Sequence, residues 1–259
     1  MIADLEIWQA SRLAELQAPD SWLGLVGLFW LKPGLNPVGS GSDALVRLPA
    51  GPDFFGNIDW QADELWWRPA SGEAVRLRSD RGAAPDSVAC GSLSFFVVDR
   101  EGQLAARVRD RDWAATRPPV ALAYFPGNPD WCIEAEWLAV DPPVHMEVPN
   151  VSGELKMVTV DRRAEFSVGG QLVELLPMSV GEREVFFVFR DRTSGKETYG
   201  AGRFLKAEPP ANGRICLDFN RAYNPPCAFT PFATCPLPPP ENWLPFAVPA
   251  GERKWEKPG

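Results

Sequence analysis

DFNRAYNPPCAFTPFATCPLPPPEN, residues 218–242, is the stretch that decides how the rest of the chain is interpreted. Its many prolines lack the backbone N–H and the free φ angle that a helix requires. It contains too many apolar residues for a disordered tail, which cannot bury enough apolar surface to fold, and too many polar residues for plain core. We therefore predict that this proline-rich segment wraps over a scaffold and is held there by specific hydrogen bonds.

The scaffold is predicted to be mainly β. From residue 22 onward, short apolar segments alternate with Gly, Pro, Ser and Asp turn signals, a pattern typical of sandwiches and barrels rather than of βαβ units. Residues 3–17 instead carry leucines and a tryptophan at helical spacing, and Pro19 follows them. We expect an N-terminal helix, a sandwich-like first half, and a barrel-like second half that the proline-rich segment closes.

These elements predict three regions. Residues 1–19 form the N-terminal helix, residues 20–118 the β-sandwich-like region, and residues 119–259 the β-barrel-like region with the proline-rich C-terminal segment. A charged connection at residues 107–117 places the boundary near residue 118. One continuous core is the alternative.

Composition and charge exclude several classes of function. The 259 residues carry a net charge of −8 and no basic run, whereas nucleic-acid binding depends on Lys and Arg that neutralise phosphates. A local arginine cluster still permits a small anionic ligand. The N-terminus lacks the basic and apolar regions of a signal peptide, and the longest apolar run, residues 23–31, is short of a membrane span. We expect a cytoplasmic protein without nucleic-acid or membrane partners and leave its oligomeric state open.

The counts of histidine and cysteine limit the chemistry further. His145 is the single histidine, so a His-rich metal site is excluded and no metal is expected. Neither G-x-G-x-x-G nor a P-loop is present, so we expect no cofactor. The five cysteines lack the spacing of a disulfide framework and are expected to be reduced. Cys227 and Cys235 are interpreted as small buried residues, with a disulfide in a folded-back loop as the alternative.

Side-chain alternation predicts a polar row on the second β region. On a strand over residues 198–205, Tyr199 and Arg203 share one face. If symmetric hairpins join this strand to its neighbours, Tyr199 faces Asn220, while Arg203 lies opposite Glu184 and diagonal to Asp218. A one-residue slip would reverse every facing.

This row predicts an anion clamp. Arg203 and Arg221 would supply planar guanidinium groups matched to a carboxylate or phosphate, and Asp218 would orient them. The alternative is an internal ion pair that ties the proline-rich segment to the scaffold. Tyr199 and Tyr223 would be hydroxyl donors in the pocket, or aromatic packing residues with the hydroxyl bonded to backbone.

Four stretches resemble a known bacterial family, domain-of-unknown-function family 1684. They are WLKPGLNPVGS (30–40), DRTSGKETYGAGRFL (191–205), LDFNRAYNPPCAFTPFATCPLPPPENWL (217–244) and AGE (250–252). The resemblance spans most of the chain. It implies no activity, because none comes with the family name.

Residues 28–67 also resemble the opening of a forkhead-associated β-sandwich. That family recognises phosphothreonine with a Gly-Arg pair, a Ser-x-x-His and an Asn. Here Ser40 follows Gly39, and no Ser-x-x-His exists because the one histidine is His145. The resemblance therefore implies a similar fold without phosphopeptide recognition.

The leading prediction is a small polar or anionic molecule bound where the GRFL and DFNRAYNPP segments meet. The predicted ligand-binding residues are Arg203, Asn220, Arg221, Tyr223 and Asn224. One alternative is a cofactor-independent hydrolase or isomerase in the same pocket. In that enzyme, Asp218 or Glu184 would be the general base and Tyr199 or Tyr223 the proton donor. Arg203 or Arg221 would stabilise developing negative charge. The other alternative is a structural or protein-interaction module in which these residues only lock the fold.

Overall fold

The structure, a computed structural model, describes residues 2–151, 153 and 155–256. It confirms a mainly β chain, with 45% of residues in strands and 14% in helices. The chain divides into two compact units: residues 17–118 form one, and residues 1–16 with 119–259 form the other. Among the described residues, no helix is long and apolar enough to cross a lipid bilayer.

The N-terminal helix is confirmed. It is α1, Ile2–Gln17, and all but its last residue belongs to the same unit as residues 119–259. Leu16 is buried, and the indole of Trp8 packs edge-on against the ring of Tyr124 at a centroid distance of 6.4 Å. The apolar stripe predicted for this helix therefore contacts the unit that contains the proline-rich segment.

The unit of residues 17–118 consists of two sheets and a short helix. Its elements are β1 (Leu25–Trp30), β2 (Gly34–Gly39), β3 (Val46–Arg47), β4 (Gly56–Gln61), β5 (Glu64–Pro69), β6 (Val75–Leu77), β7 (Ser87–Cys90), β8 (Leu93–Arg100), β9 (Gln103–Asp110) and α2 (Arg111–Thr116). The sheets have the orders β1-β9-β8-β7 and β3-β2-β4-β5-β6. Both contribute to one hydrophobic core, in which the rings of Trp67 and Phe95 lie 5.1 Å apart. This is the arrangement expected of a sandwich.

The second unit contains a curled half-barrel sheet and a smaller sheet. Its strands are β10 (Cys132–Pro149), β11 (Leu155–Val168), β12 (Gln171–Leu175), β13 (Ser179–Val180), β14 (Val185–Phe189), β15 (Arg203–Ala207) and β16 (Arg214–Asp218). The orders are β12-β11-β10-β16 and β13-β14-β15. Apolar residues from both sheets and from the C-terminal segment form one core.

The proline-rich segment follows β16 and consists of irregular chain with short 3₁₀ turns at Phe219–Arg221, Pro226–Ala228 and Pro240–Asn242. Asn242 illustrates how it is held. The buried side-chain amide of Asn242 accepts from the N–H of Leu176 at 2.8 Å and donates to the carbonyls of Leu176 and Val188 at 2.8 and 2.9 Å. Specific side-chain hydrogen bonds to the backbone of β14 and of the residue that follows β12 thus fix the segment, as its sequence predicts.

The predicted register around Arg203 is wrong. Strand β15 begins at Arg203, which pairs with Phe189 rather than with Glu184, and β16 pairs with β10 instead of β15. The cause is local, because residues 198–202 belong to a turn and Gly202 has a φ of +95°. Alternation counted from Thr198 therefore started outside the strand.

Candidate functional site

Arg203 lies at the centre of a buried polar cluster. Its side chain has no exposed area and donates from Nη2 to Asp191 Oδ2 at 2.8 Å and to the carbonyl of Val248 at 2.9 Å. Nη1 donates to the carbonyl of Ala250, and the guanidinium lies 5.2 Å from the ring centroid of Phe189. Burial lowers the pKa of this guanidinium, and the Asp191 carboxylate opposes that change. Arg203 is therefore bonded to the protein itself and offers no fork to a ligand.

The carboxylate of Asp191 is fully used as well. Oδ1 accepts from the N–H and hydroxyl of Thr193 at 2.7 and 2.6 Å, and from the N–H of Val248 at 3.3 Å. The Thr193 hydroxyl also lies 2.8 Å from that of Thr198. One side chain thus shapes the turn before β15 and neutralises the arginine on that strand.

Asp218, Asn220 and Arg221 form a separate anchor at the end of β16. Asp218 Oδ1 caps the following 3₁₀ turn by accepting from Asn220 N at 3.1 Å, and Oδ2 lies 3.3 Å from Arg221 Nε. The Asn220 amide exchanges two hydrogen bonds of 2.9 Å with the backbone of Asn128. Among the described hydrogen bonds and ion pairs, none joins Arg203 to Asp218 or Arg221. The members of the predicted clamp are therefore not linked to one another by these bonds in the way that the sequence predicts.

The predicted catalytic residues have separate partners too. Glu184 forms an exposed ion pair with Lys206 at 2.9 Å, and the hydroxyl of Tyr199 donates to the carbonyl of Cys227 at 3.1 Å. Burial, with a further contribution from Cys227, raises the pKa of Tyr199, so its hydroxyl stays protonated at neutral pH. No hydrogen bond or ion pair in the described part of the chain joins any two of Asp218, Glu184 and Tyr199.

A second buried cluster connects α1 to the C-terminal segment. Glu252 has no exposed side-chain area and accepts from Arg12 Nε at 3.0 Å, from Asn224 N at 2.8 Å and from Asn224 Nδ2 at 3.0 Å. Arg12 also donates from Nη2 to the carbonyl of Asn224 at 3.0 Å and lies 4.8 Å from the ring centroid of Tyr223. Tyr223 and Asn224, both predicted ligand-binding residues, therefore lie beside a cation from the N-terminal helix.

The electrostatics of this cluster depend on burial. Burial raises the pKa of Glu252, while Arg12 and the Asn224 donors lower it. The hydroxyl of Tyr124 and the Oδ1 of Asn224 are buried without a hydrogen-bond partner among the described residues. Burial, followed by the charge of Glu252, also raises the pKa of Tyr124. The cluster thus keeps polar groups in a desolvated site.

A cleft of about 420 Å³ opens at the surface of the same unit. It is lined by Ala121, Leu122, Ala123, Glu197, Arg253, Lys254 and Glu256. At this edge of the cleft, Glu252 lies buried whereas Arg253 and Lys254 are exposed. Two backbone hydrogen bonds fix the edge of the cleft: Arg253 N donates to the Ala123 carbonyl at 2.8 Å, and Lys254 N donates to the Glu197 carbonyl at 2.9 Å.

No metal site is apparent: in residues 2–151, 153 and 155–256, no three His, Cys, Asp or Glu side chains form a group that would hold an ion. All five cysteines are free thiols. Cys227 and Cys235 lie close together, with Cys227 N donating to Cys235 Sγ at 3.3 Å. Hydrogen bonds from Cys235 and Tyr199 lower the pKa of Cys227, against the effect of burial.

Residues 120–253 match the family described as "Protein of unknown function (DUF1684)". The chain belongs to the DUF1684 family. The match includes both buried clusters except for Arg12. It confirms the resemblance seen in the DRTSG, DFNRAYNPP and AGE stretches. The WLKPG stretch lies outside it.

The chain is also similar to a protein among the solved structures. The solution NMR structure of an uncharacterized protein from Haloarcula marismortui is 35% identical to this chain, covering 51% of this chain and 75% of that one, with a TM-score of 0.43. A search of the curated proteins finds no match.

Sequence reasoning missed Arg12, Asp191 and Glu252 as members of the polar clusters. Arg12 and Glu252 are 240 positions apart, so no local spacing relates them. Glu252 ends the AGE stretch that resembles the DUF1684 family, which was the one signal that pointed to it. Asp191 had a signal in its position two residues after the end of a buried strand, where a carboxylate needs a partner.

Proposed function

We propose that this DUF1684 protein binds a small polar or anionic molecule in the cleft beside Arg253 and Lys254. The observation that carries the proposal is the pair of exposed cations at the edge of a cleft of about 420 Å³. The volume lies within the range usual for small-molecule sites. The class of ligand is the one that the sequence favours. The site differs from the predicted one because the Arg203 side chain has no exposed area and donates to Asp191 and to backbone carbonyls.

The two cations are held loosely enough to exchange partners. Arg253 Nη2 lies 3.9 Å from a carboxylate oxygen of Glu197, and Lys254 Nζ lies 3.5 Å from one of Glu256. These pairs are about half exposed on the cationic side, and exposed pairs of this kind contribute little to stability. A ligand carboxylate or phosphate would replace the protein carboxylates at small cost and meet the planar fork of Arg253.

The backbone under the cations is rigidly placed. The Arg253 carbonyl accepts from Asn224 Nδ2 at 2.7 Å, and the guanidinium lies 5.2 Å from the ring centroid of Phe125. The preceding residue, Glu252, is fixed by the buried cluster. Pre-organisation of this kind reduces the entropy that a ligand must remove on binding. Under this proposal, the buried clusters support the site and do not touch the ligand.

A second cleft, of about 400 Å³, is lined by residues of the other unit between 63 and 83. It contains Arg76, Arg78 and Arg81. We prefer the cleft at Arg253 because most of its lining belongs to the region that matches the family, residues 120–253. Residues 63–83 lie outside that region.

The test is a thermal-shift screen of the full chain against carboxylate and phosphate metabolites, followed by calorimetric titration of each compound that stabilises it. A compound that binds only the native state raises the melting temperature of the protein. The increase grows with the ratio of the compound's concentration to its Kd. The variant Arg253→Ala/Lys254→Ala should lose the shift. Arg214→Ala is the matched control, because its side chain has the same 46% exposure and also pairs with carboxylates.

The expected result is a compound that stabilises wild type and Arg214→Ala but not Arg253→Ala/Lys254→Ala. Two results would contradict the proposal. One is the absence of any stabilising compound across the panel, and the other is an equal shift in the double variant. The same titrations with Arg76→Ala show whether a compound binds in the second cleft instead of the cleft at Arg253.

A further inference from the structure

Cys132 and Cys216 lie on one outer surface of the half-barrel sheet. In the antiparallel pair β10–β16, Cys132 is opposite Asp218, and Cys216 is opposite Glu134. Leu217, the residue after Cys216, is fully buried, so alternation turns both cysteines away from the core. They are diagonal neighbours on the same face of two adjacent strands.

The two sulfur atoms are already in contact. Sγ of Cys132 lies 3.3 Å from Sγ of Cys216, and a disulfide bond measures about 2.05 Å. Closure therefore shortens the distance between the two sulfur atoms by little more than an ångström. Cys216 is exposed and Cys132 is half-buried, so a small reagent has access to the pair.

We propose that Cys132 and Cys216 form a redox-sensitive dithiol that closes to a cross-strand disulfide by exchange with a low-molecular-weight disulfide such as glutathione disulfide. In the first step, one cysteine thiolate attacks a sulfur of the reagent and the S–S bond of the reagent breaks. One thiol leaves, and a mixed disulfide remains on the protein. The second cysteine thiolate then attacks the protein sulfur of that mixed disulfide and expels the second thiol. The two cysteine protons end on the two released thiols, so the protein is oxidised by two electrons and the reagent is reduced by two.

The surroundings of the pair set the conditions for this exchange. Partial burial, the hydrogen bond with Cys132 and the charges of Cys132, Asp218 and Glu134 raise the pKa of Cys216 to about 12. Two cations face this group, and each is paired with a carboxylate. Arg221 pairs with Asp218, and Arg214 pairs with Glu134. Whichever cysteine reacts first, one step needs the Cys216 thiolate, so exchange accelerates as pH rises.

Closure would have a structural effect on the segment that follows β16. The new bond would staple this edge strand to β10, next to Asp218 and its 3₁₀ turn. It would also close a long loop, since the cysteines are 84 positions apart. Cross-links of long loops restrict the unfolded chain and raise stability.

The experiment treats the reduced full chain with excess glutathione disulfide at mildly alkaline pH, without oxygen or metal ions. Titratable thiols in denaturant should fall from the five of the sequence by two. Tryptic mapping should join the peptide 112–156 to the peptide 215–221, each of which contains a single cysteine. The melting temperature should rise, and a dithiol reductant should reverse both changes.

Controls identify the pair without relying on one variant. Cys132→Ser and Cys216→Ser should each stop at a glutathione mixed disulfide, whereas Cys227→Ser should still form the joined peptides. A wild-type protein that keeps all its thiols, or stops at the mixed disulfide, would overturn the proposal. A bond between Cys227 and Cys235 alone would also overturn it. That bond would lie within the single tryptic peptide 222–253 and is therefore distinguishable.

Discussion

The guanidinium of Arg203 and the carboxylate of Asp191 form an ion pair 2.8 Å long in which neither side chain has any exposed area. The pair joins the first residue of β15 to the turn after β14, and the same guanidinium binds carbonyls of Val248 and Ala250. Three chain segments, β15, the turn at Asp191 and the segment of residues 248–250, therefore meet at one cation. This arrangement predicts a structural role for Arg203 in this chain.

Removal of either partner should destabilise the protein strongly. Arg203→Ala leaves the Asp191 carboxylate buried without its cation, which costs about 3–5 kcal/mol of unfolding free energy. Urea denaturation followed by tryptophan fluorescence measures this loss. Because that loss approaches the total stability of many domains, Asp191→Asn serves as a milder variant that keeps the shape and an acceptor for Thr193.

Arg183→Ala is the control, because it removes an exposed arginine from the chain just before β14. Its unfolding midpoint should match that of wild type. A fully stable Arg203→Ala protein would contradict the structural role of the pair. That outcome would return Arg203 to consideration as a ligand-binding residue.

The Arg12–Glu252 pair should make stability depend on pH. Burial raises the pKa of Glu252 above its ordinary 4.5, so the native state binds this proton more tightly than the unfolded chain. The free energy of unfolding contributed by this group therefore falls as pH rises through that range. Arg12→Ala raises the pKa further and should cost about 3 kcal/mol at neutral pH, but less near pH 5. Urea denaturation at both pH values tests the difference.

The background Glu252→Gln provides the matched comparison for that experiment. It replaces the carboxylate with a neutral amide of the same shape, so Arg12→Ala should then cost the same at both pH values. If Arg12→Ala lowers the free energy of unfolding equally at both pH values while Glu252 is present, the pH dependence does not arise from the Arg12–Glu252 pair.

Asn242 should be more important to stability than its position in an irregular segment implies. Asn242→Ala removes three hydrogen bonds to the backbone of Leu176 and Val188. The buried backbone groups of Leu176 and Val188 would lose the Asn242 amide as partner, which should lower the free energy of unfolding by about 2–3 kcal/mol. Thermal unfolding should show the loss for Asn242→Ala and none for Glu241→Ala, the exposed neighbour. Equal melting temperatures for the two variants would show that the Asn242 hydrogen bonds do not stabilise the fold.

The sequence predicted the fold class and the nature of the C-terminal segment better than it predicted the polar clusters. Composition and turn spacing are local, so they revealed a mainly β chain and a segment held by hydrogen bonds such as those of Asn242. Contacts around Arg203 depend on where β15 begins, and strand alternation reverses if that start is misplaced by one residue. Glu252 and Arg12 meet through tertiary packing, which no periodicity in the chain encodes.

Gly202 should tolerate no side chain, whereas Gly200 should. Gly202 has a φ of +95°, and a Cβ there would lie 2.5 Å from the carbonyl oxygen of Phe189 and 3.0 Å from Cγ of Pro238. The close approach joins β14, the turn before β15 and the proline-rich segment, so neither neighbour can move freely. Gly202→Ala should therefore cost about 2–4 kcal/mol from backbone strain and overpacking together.

Gly200 has no positive φ of this kind, and its nearest neighbour would be 3.7 Å away, so Gly200→Ala should change stability by less than about 1 kcal/mol. Denaturation midpoints of the two variants compare them directly. Equal midpoints would mean that the turn can relax around a side chain, and that Gly202 does not fix the start of β15.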